Sequence, residues 1–233
     1  MSHIEIITTS DGSHSLRNTR LNETYHSIHG AIQESIHVFI NNGLVFFENN
    51  NHPSEIRILE VGFGTGLNAL LTLKHALVSK LPFHYTTLEA DPIPEEMIQQ
   101  LNYPEILDFA GSASLFQKLH AASWTQEDAI LNNFVLKKQL GKLQDLDLGD
   151  AQFDLVYFDA FAPVKQPELW EIEMLRKVEQ SMKPGGVFVT YCAKGQLKRD
   201  LRSLGLVVDT LPGAPGKKEM VRALKGFEFS AKP

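Results

Sequence analysis

The chain has a single cysteine, Cys192, among 233 residues, so no internal disulfide can form and a reducing, cytoplasmic compartment is the simplest reading. No apolar run approaches the roughly 18 residues that a bilayer span requires. The opening Met1-Ser2-His3-Ile4-Glu5 lacks the basic stretch and apolar core of a secretion signal. No Cys lies near His26, His29 or His37, and no His-Glu-x-x-His run occurs, so no metal site is read. Cys192 has no recognisable histidine partner pattern and reads as a buried, inert thiol. Repeats and low-complexity tracts are also missing. What remains, 43% hydrophobic and 21% charged, is the composition of a globule with a sizeable core, in one large domain or a domain with an appendage.

A net charge of −6 argues against nucleic acid for the chain as a whole. The distribution is uneven. From Lys183 to Lys225 there are nine Lys/Arg against three Asp/Glu, which leaves −12 on the remainder. A basic C-terminal third on an acidic body suits a local phosphate-binding face; a solvated helix surface would give the same count.

Residues 4–9 read as a strand, and Ser10-Asp11-Gly12-Ser13 as the turn of a hairpin. Ala31, Ile32, Ile36, Phe39 and Ile40 fall at helical spacing over 30–41, with Gly43 as the expected stop and residues 49–53 as a loop. Beyond that point strands alternate with helices. Strands are expected at 56–61, 84–88, 134–140, 153–158 and 187–191, with helices at 67–78, 94–101, 171–182 and 194–204. Lys183-Pro184-Gly185-Gly186 should end the third of these helices. The last two strands, 206–211 and 222–229, are joined by a Pro/Gly-rich link too short for a crossover and should pair antiparallel. The pattern predicts a mostly parallel α/β sheet with helices on both faces.

The sharpest motif is Glu60-Val61-Gly62-Phe63-Gly64-Thr65-Gly66-Leu67-Asn68, which leaves a strand and opens a helix. Its glycines let backbone approach a ligand, and the helix start offers free N–H groups. Glu60, two residues before the first glycine, would repel a pyrophosphate but suits the ammonium or sulfonium of S-adenosylmethionine. Glu89, at the end of the next strand, can accept both ribose hydroxyls. Together these residues outline an adenosine-plus-amino-acid pocket, extending to Phe63, Thr65, Asn68 and Ala90; NAD fits the glycine spacing less well.

Ligands in open α/β sheets sit beyond the carboxyl ends of the strands. Phe153-Asp154-Leu155-Val156-Tyr157-Phe158-Asp159 places Asp159 at that end and Asp154 at the other, so Asp159 is the candidate for chemistry and Asp154 is structural. Phe161 could stack on a planar base. Trp170 reads as a core anchor. Lys217 and Lys218, on a basic loop after Gly216, could hold phosphate or mark a hairpin tip.

Three runs carry a resemblance: residues 60–68, residues 158–170 (Phe-Asp-Ala-Phe-Ala-Pro-x-Lys-x-Pro-Glu-Leu-Trp) and residues 213–220 (Gly-x-x-Gly-Lys-Lys-Glu-Met). Together they resemble the tRNA-modifying methyltransferases of MnmC/MnmD type, in the form without the fused oxidase. The first run is widespread among methyltransferases; the other two are narrower. The resemblance implies a Rossmann-like class I methyltransferase over 53–233, with a small hairpin-and-helix extension over 1–52. It implies S-adenosyl-L-methionine as cofactor and the tRNA anticodon loop as partner. The implied reaction converts 5-aminomethyl-2-thiouridine at the wobble position to 5-methylaminomethyl-2-thiouridine, after a separate enzyme supplies the aminomethyl precursor. Gly62, Gly64, Gly66 and Glu89 would bind cofactor, Asp159 would sit at methyl transfer, and Tyr25 at the pocket mouth. One departure is Lys142, where such enzymes usually carry an acid that holds the adenine amine; Gln144 or Asp145 stand beside it.

Lys194, Lys198, Arg199, Arg202, Lys217 and Lys218 are the candidates for backbone phosphates. Two other readings stay open on the same residues. One is a small-molecule amine methyltransferase or aminopropyltransferase. The other is a non-catalytic adenosyl-ligand or RNA-binding module.

Overall fold

The computed structural model describes residues 3–226. β1 (Ile4–Thr8) and β2 (His14–Asn18) form the expected antiparallel hairpin, Ile6 opposite Leu16, and a two-residue strand β3 (Glu23–Thr24) adds to β2. α1 (Ala31–Ser35) continues through a π-helical stretch, Ile36–Val45, into α2 (Phe46–Asn51). Gly43 therefore does not stop the helix, and residues 49–51 belong to it; His52, at φ 45°, ends it. Gly43 has a packing reason instead. A Cβ there would meet Val189 Cγ2 at 3.0 Å and Tyr157 Cε1 at 3.3 Å, so glycine lets this helix lie close on the sheet.

The main sheet has eight strands. β4 (Ile56–Val61), β5 (Phe83–Glu89), β7 (Phe134–Leu140), β8 (Phe153–Phe158) and β9 (Met182–Thr190) are parallel. β6 (Glu127–Leu131) pairs antiparallel with β7 at one edge. At the other edge β11 (Glu219–Leu224) lies antiparallel between β9 and β10 (Val207–Pro212). The order is β10-β11-β9-β8-β4-β5-β7-β6. The antiparallel end is as expected; the antiparallel edge at β6 was not. β11 starts earlier than the sequence suggests, and residues 227–229 of that expected strand lie outside the described residues. Residues 183–186 form the irregular entry into β9, where the register against β8 shifts, rather than a segment before it.

Every residue of β8 is buried, and β4 is apolar except for Arg57 and Glu60, as central parallel strands covered on both faces require. One face (Ile58, Tyr85, Leu136, Tyr157, Val189) packs on Phe39, Leu44 and the apolar side of α3 (Leu67–Ala76). The other (Leu59, Val61, Val156, Phe158, Phe188) packs on α7 (Ile172–Ser181) and α8 (Gly195–Ser203). The expected helix over 94–101 is shorter, α4 (Glu95–Ile98). It is followed by α5 (Tyr103–Leu107) and α6 (Ser112–Ala121), which the sequence pattern did not single out. Asp154 is structural as expected: it accepts from Arg57 N at 2.8 Å and pairs with Lys183 at 2.9 Å.

From β4 the chain proceeds to β5 and β7 on one side, then returns to β8 and β9 on the other. That reversal opens a crevice at the carboxyl ends of β4 and β8, where open α/β sheets bind ligands.

Candidate active site

A cavity of about 480 Å³ fills this crevice. It is walled by the turn after β4, the ends of β5 and β8, the segment after β7 and the N-terminal hairpin. The turn after β4 is forced by its sequence. Gly62, Gly64 and Gly66 all have positive φ (96°, 49° and 72°), a region that residues with a Cβ avoid. Close approach adds to this: a Cβ on Gly62 would lie 2.6 Å from the carbonyl oxygen of Asp159. α3 then begins at Leu67, directing its N-terminus at the turn.

Two carboxylates face the cavity from strand ends. Glu89 accepts the Gly64 N–H at 3.0 Å through Oε2 and the Asp91 N–H at 2.9 Å through Oε1, so it is fixed against the glycine turn. Burial raises its carboxyl above the ordinary range, against the pull of these backbone donors. Asp159 accepts from Asn68 Nδ2 at 2.8 Å, and its own N–H donates to Val61 O at 3.0 Å. Burial, then the nearby charge of Glu34, push its carboxyl up to about 7; the Asn68 bond and the charge of Lys217 act the other way.

Of the expected cofactor residues, Gly62, Phe63, Gly64, Thr65, Asn68, Glu89, Ala90 and Asp159 line the cavity. Glu60 does not. It is wholly buried beneath the turn, bonded by Thr87 Oγ1 at 2.7 Å, and burial pushes it up to about 8. Gly66 shapes the turn without lining the cavity.

Tyr25 and Phe161 meet edge to face at the cavity wall, 4.9 Å between centroids. Trp170 is the anchor its position suggested: it is buried, packs on Phe158 and donates Nε1–H to the Phe161 carbonyl at 2.8 Å. Lys142, Gln144 and Asp145 all line the wall after β7. Asn18, Leu21 and Gln166 also line the cavity without having been singled out, as does His26, considered in the sequence only as a metal ligand. Only long-range folding brings the hairpin to the sheet, so sequence spacing carries no signal for Asn18 or Leu21.

Lys194, Lys217 and Lys218 do not line the cavity. Lys194 caps the start of α8 and is exposed, as is Lys218. Lys217 is half-buried and paired with Glu34 at 2.5 Å, so it is committed within the fold rather than offered to phosphate. Lys198 pairs with Glu219 at 2.8 Å.

The charge of the lining decides what it accepts. Glu89, Asp91, Asp145, Asp159 and Glu168 face one lysine, Lys142. Such a wall suits cationic groups and disfavours a pyrophosphate. The volume suits a cofactor-sized ligand. The glycine turn, Glu89 and the acidic wall therefore fit S-adenosylmethionine.

The fold is that of a Rossmann-like class I methyltransferase. Residues 113–226 match the family described as S-adenosyl-L-methionine-dependent methyltransferase. Two bifunctional proteins named tRNA 5-methylaminomethyl-2-thiouridine biosynthesis protein MnmC are similar in sequence. The one from Idiomarina loihiensis is 29% identical over 87% of this chain and 36% of its own length. That from Cupriavidus necator is 30% identical over 88% and 32%. The chain thus spans about a third of the length of these relatives. The crystal structure of MnmC2 from Aquifex aeolicus superposes with a TM-score of 0.75 at 28% identity, over 96% of this chain and 70% of that one. Spermidine synthase from Thermotoga maritima shares the fold, with a TM-score of 0.54 at 16% identity. Over most of its own length, the chain is thus similar to proteins of the MnmC type.

Proposed function

We propose that the protein is an S-adenosylmethionine-dependent N-methyltransferase that converts 5-aminomethyl-2-thiouridine to 5-methylaminomethyl-2-thiouridine at the tRNA wobble position. The observation that carries the reading is the acidic cavity at the β4/β8 switch point, with Glu89 and Asp159 on adjoining walls. In this reading the glycine turn and Glu89 hold the adenosyl group and Asp159 faces the transfer site. Residues 1–52 act as an extension that closes the cavity, and 53–233 as the methyltransferase domain. When bound, S-adenosylmethionine would supply an electrophilic sulfonium methyl.

The protein's task is mostly alignment, because an uncharged amine attacks such a methyl readily. The substrate amine is protonated near neutral pH and must shed a proton before it attacks. Asp159 accepts a hydrogen bond from it and so orients its lone pair. A carboxyl held near 7 can also accept a proton at neutral pH, which one at its ordinary value does poorly. Asn68 fixes the carboxylate's rotation from below. Tyr25 and Phe161 offer aromatic surface to a base turned out of the anticodon loop. Exposed Lys194, Arg202 and Lys218 contribute the basic surface for the tRNA backbone. Such work belongs in the cytoplasm; no helix among the described residues is long and apolar enough to cross a membrane.

The test is incubation with labelled S-adenosylmethionine and tRNA bearing unmethylated 5-aminomethyl groups, followed by mass analysis of the digested nucleosides. The reading expects one added methyl on the wobble nucleoside. Methylation of free polyamines with none on tRNA would replace it with a small-molecule activity.

A further inference from the structure

Three segments far apart in sequence meet behind Asp159. Glu34 on α1 is buried, and its Oε1 accepts the Ser27 N–H at 3.0 Å. Lys217, on the loop between β10 and β11, pairs with Glu34 Oε2 at 2.5 Å. The same ammonium lies 3.7 Å from the ring centroid of Tyr191, a cation–π contact. Tyr191 in turn donates its hydroxyl to the Ala160 carbonyl at 2.8 Å, one residue beyond Asp159. The loop is docked closely here: a Cβ on Gly216 would run into the His29 ring. A continuous path of contacts thus runs from Glu34 through Lys217 and Tyr191 to the tip of β8.

We propose that Lys217 and Glu34 are positioning residues for Asp159: the ion pair, braced on Tyr191, holds the 159–160 strand tip and sets the charge that Asp159 experiences. This rests on the role of Asp159 given above. It also replaces the reading of Lys217 as a phosphate ligand.

Glu89, Asp91, Asp145, Glu168 and Lys142 share the cavity lining with Asp159, while the pair acts on it from behind. The other ionisable groups that act on Asp159, or on which it acts, are Glu60 from β4, Tyr85 from β5, Tyr103 from α5 and Tyr191 after β9. Burial keeps the three phenols protonated, and Glu60 holds its proton up to about 8. His26, which faces the pair, is pushed down to about 4 and is neutral. Burial likewise raises the Cys192 thiol, which Lys217 also reaches. Glu34 and Lys217 then act on Asp159 with opposite sign.

The experiment compares wild type with Lys217→Met, Glu34→Gln and the double variant. The carboxyl carbon of Asp159 is titrated by NMR in the unliganded protein, with Asp159→Asn assigning the resonance. The pH dependence of single-turnover methyl transfer and the salt dependence of the tRNA KM are measured alongside. Lys217→Met should move the Asp159 midpoint and the acidic limb of the rate profile to higher pH. Well below the limb, the rate should fall about tenfold for each pH unit of movement. The tRNA KM and its salt dependence should stay as in wild type. Glu34→Gln should move both midpoints to lower pH, and the double variant should return towards wild type. If the unpaired charge of buried Glu34 keeps Lys217→Met from folding, Glu34→Gln and the double variant carry the comparison. An Asp159 midpoint unmoved in these variants overturns the proposal. So does a Lys217→Met protein whose only change is a raised KM with a salt slope flattened by about one, the signature of a lost phosphate contact. A wild type that fails to methylate tRNA would sink the functional reading, while the NMR midpoints would still decide the inference about the pair.

Discussion

Asn68 Nδ2 donates a 2.8 Å hydrogen bond to Asp159 Oδ2, tying the first turn of α3 to the tip of β8. The two residues are far apart in sequence and come from two of the three motif runs. The bond makes the glycine turn and Asp159 one unit: the helix that opens from the turn also fixes the Asp159 carboxylate.

Asp159→Ala should keep S-adenosylmethionine binding within a few-fold, by calorimetry, and lose about 10²- to 10⁴-fold in turnover, the range for a positioned acid–base group. Asn68→Ala should have a milder effect of the same kind, since it frees the carboxylate's rotation without removing it. Unchanged turnover in Asp159→Ala would remove that residue from the mechanism.

Replacing Glu89 by Ala removes the carboxylate opposite Gly64. Cofactor affinity should weaken about 10- to 100-fold, as expected for loss of charged hydrogen bonds. The tRNA KM should not change, and equilibrium titration with each ligand separates the two effects.

Glu60 predicts a pH dependence of stability. Its carboxyl ordinarily titrates near 4.5 and in the fold near 8, so the folded protein holds that proton more tightly than the unfolded chain. The associated stability is complete below the ordinary value and is lost as pH rises through the folded one. Asp159, raised to about 7, adds to the same trend. Glu60→Gln should therefore gain on wild type between pH 5 and 9, by about 4 kcal/mol. Denaturant midpoints across that window measure it; parallel curves for the two proteins would show that Glu60 is not buried as described.

Gly43→Ala pits helix propensity against packing. Alanine gains about 1 kcal/mol in a helix interior. Its Cβ would press on Val189 and Tyr157, both fully buried with no space to yield, and such overpacking costs about 1–3 kcal/mol. Net destabilisation of about 1 kcal/mol is expected from the shift in urea midpoint. A stabilised variant would mean that the helix can lift from the sheet.

Much of this architecture was legible in local patterns. The ranges 56–61 and 153–158 correspond to β4 and β8, because parallel strands covered on both faces are written as short apolar runs between turn residues; 134–140 corresponds to β7 although Lys137, Lys138 and Gln139 interrupt its apolar pattern. The glycine turn was legible because its backbone angles admit little else. Other features depend on contacts that sequence spacing does not contain. Gly43 looked like a stop because a glycine in a helix costs stability, and only the closeness of β8 and β9 shows why it is there. Glu60 looked like a ligand group because strand-end acids often face the crevice; the pleat turns it inward beneath Thr87 and Asn68. Lys217 looked like surface charge until Glu34, nearly the length of the chain away, was found against it.

The structure of a complex with S-adenosylhomocysteine, the demethylated form of the donor, tests the central claim most directly. The account predicts the ribose hydroxyls on Glu89, the amino-acid end over Gly62 and Gly64, and the sulfur facing Asp159. A ligand seated elsewhere, for instance in the neighbouring cavity walled by Trp124 and Lys138, would contradict it.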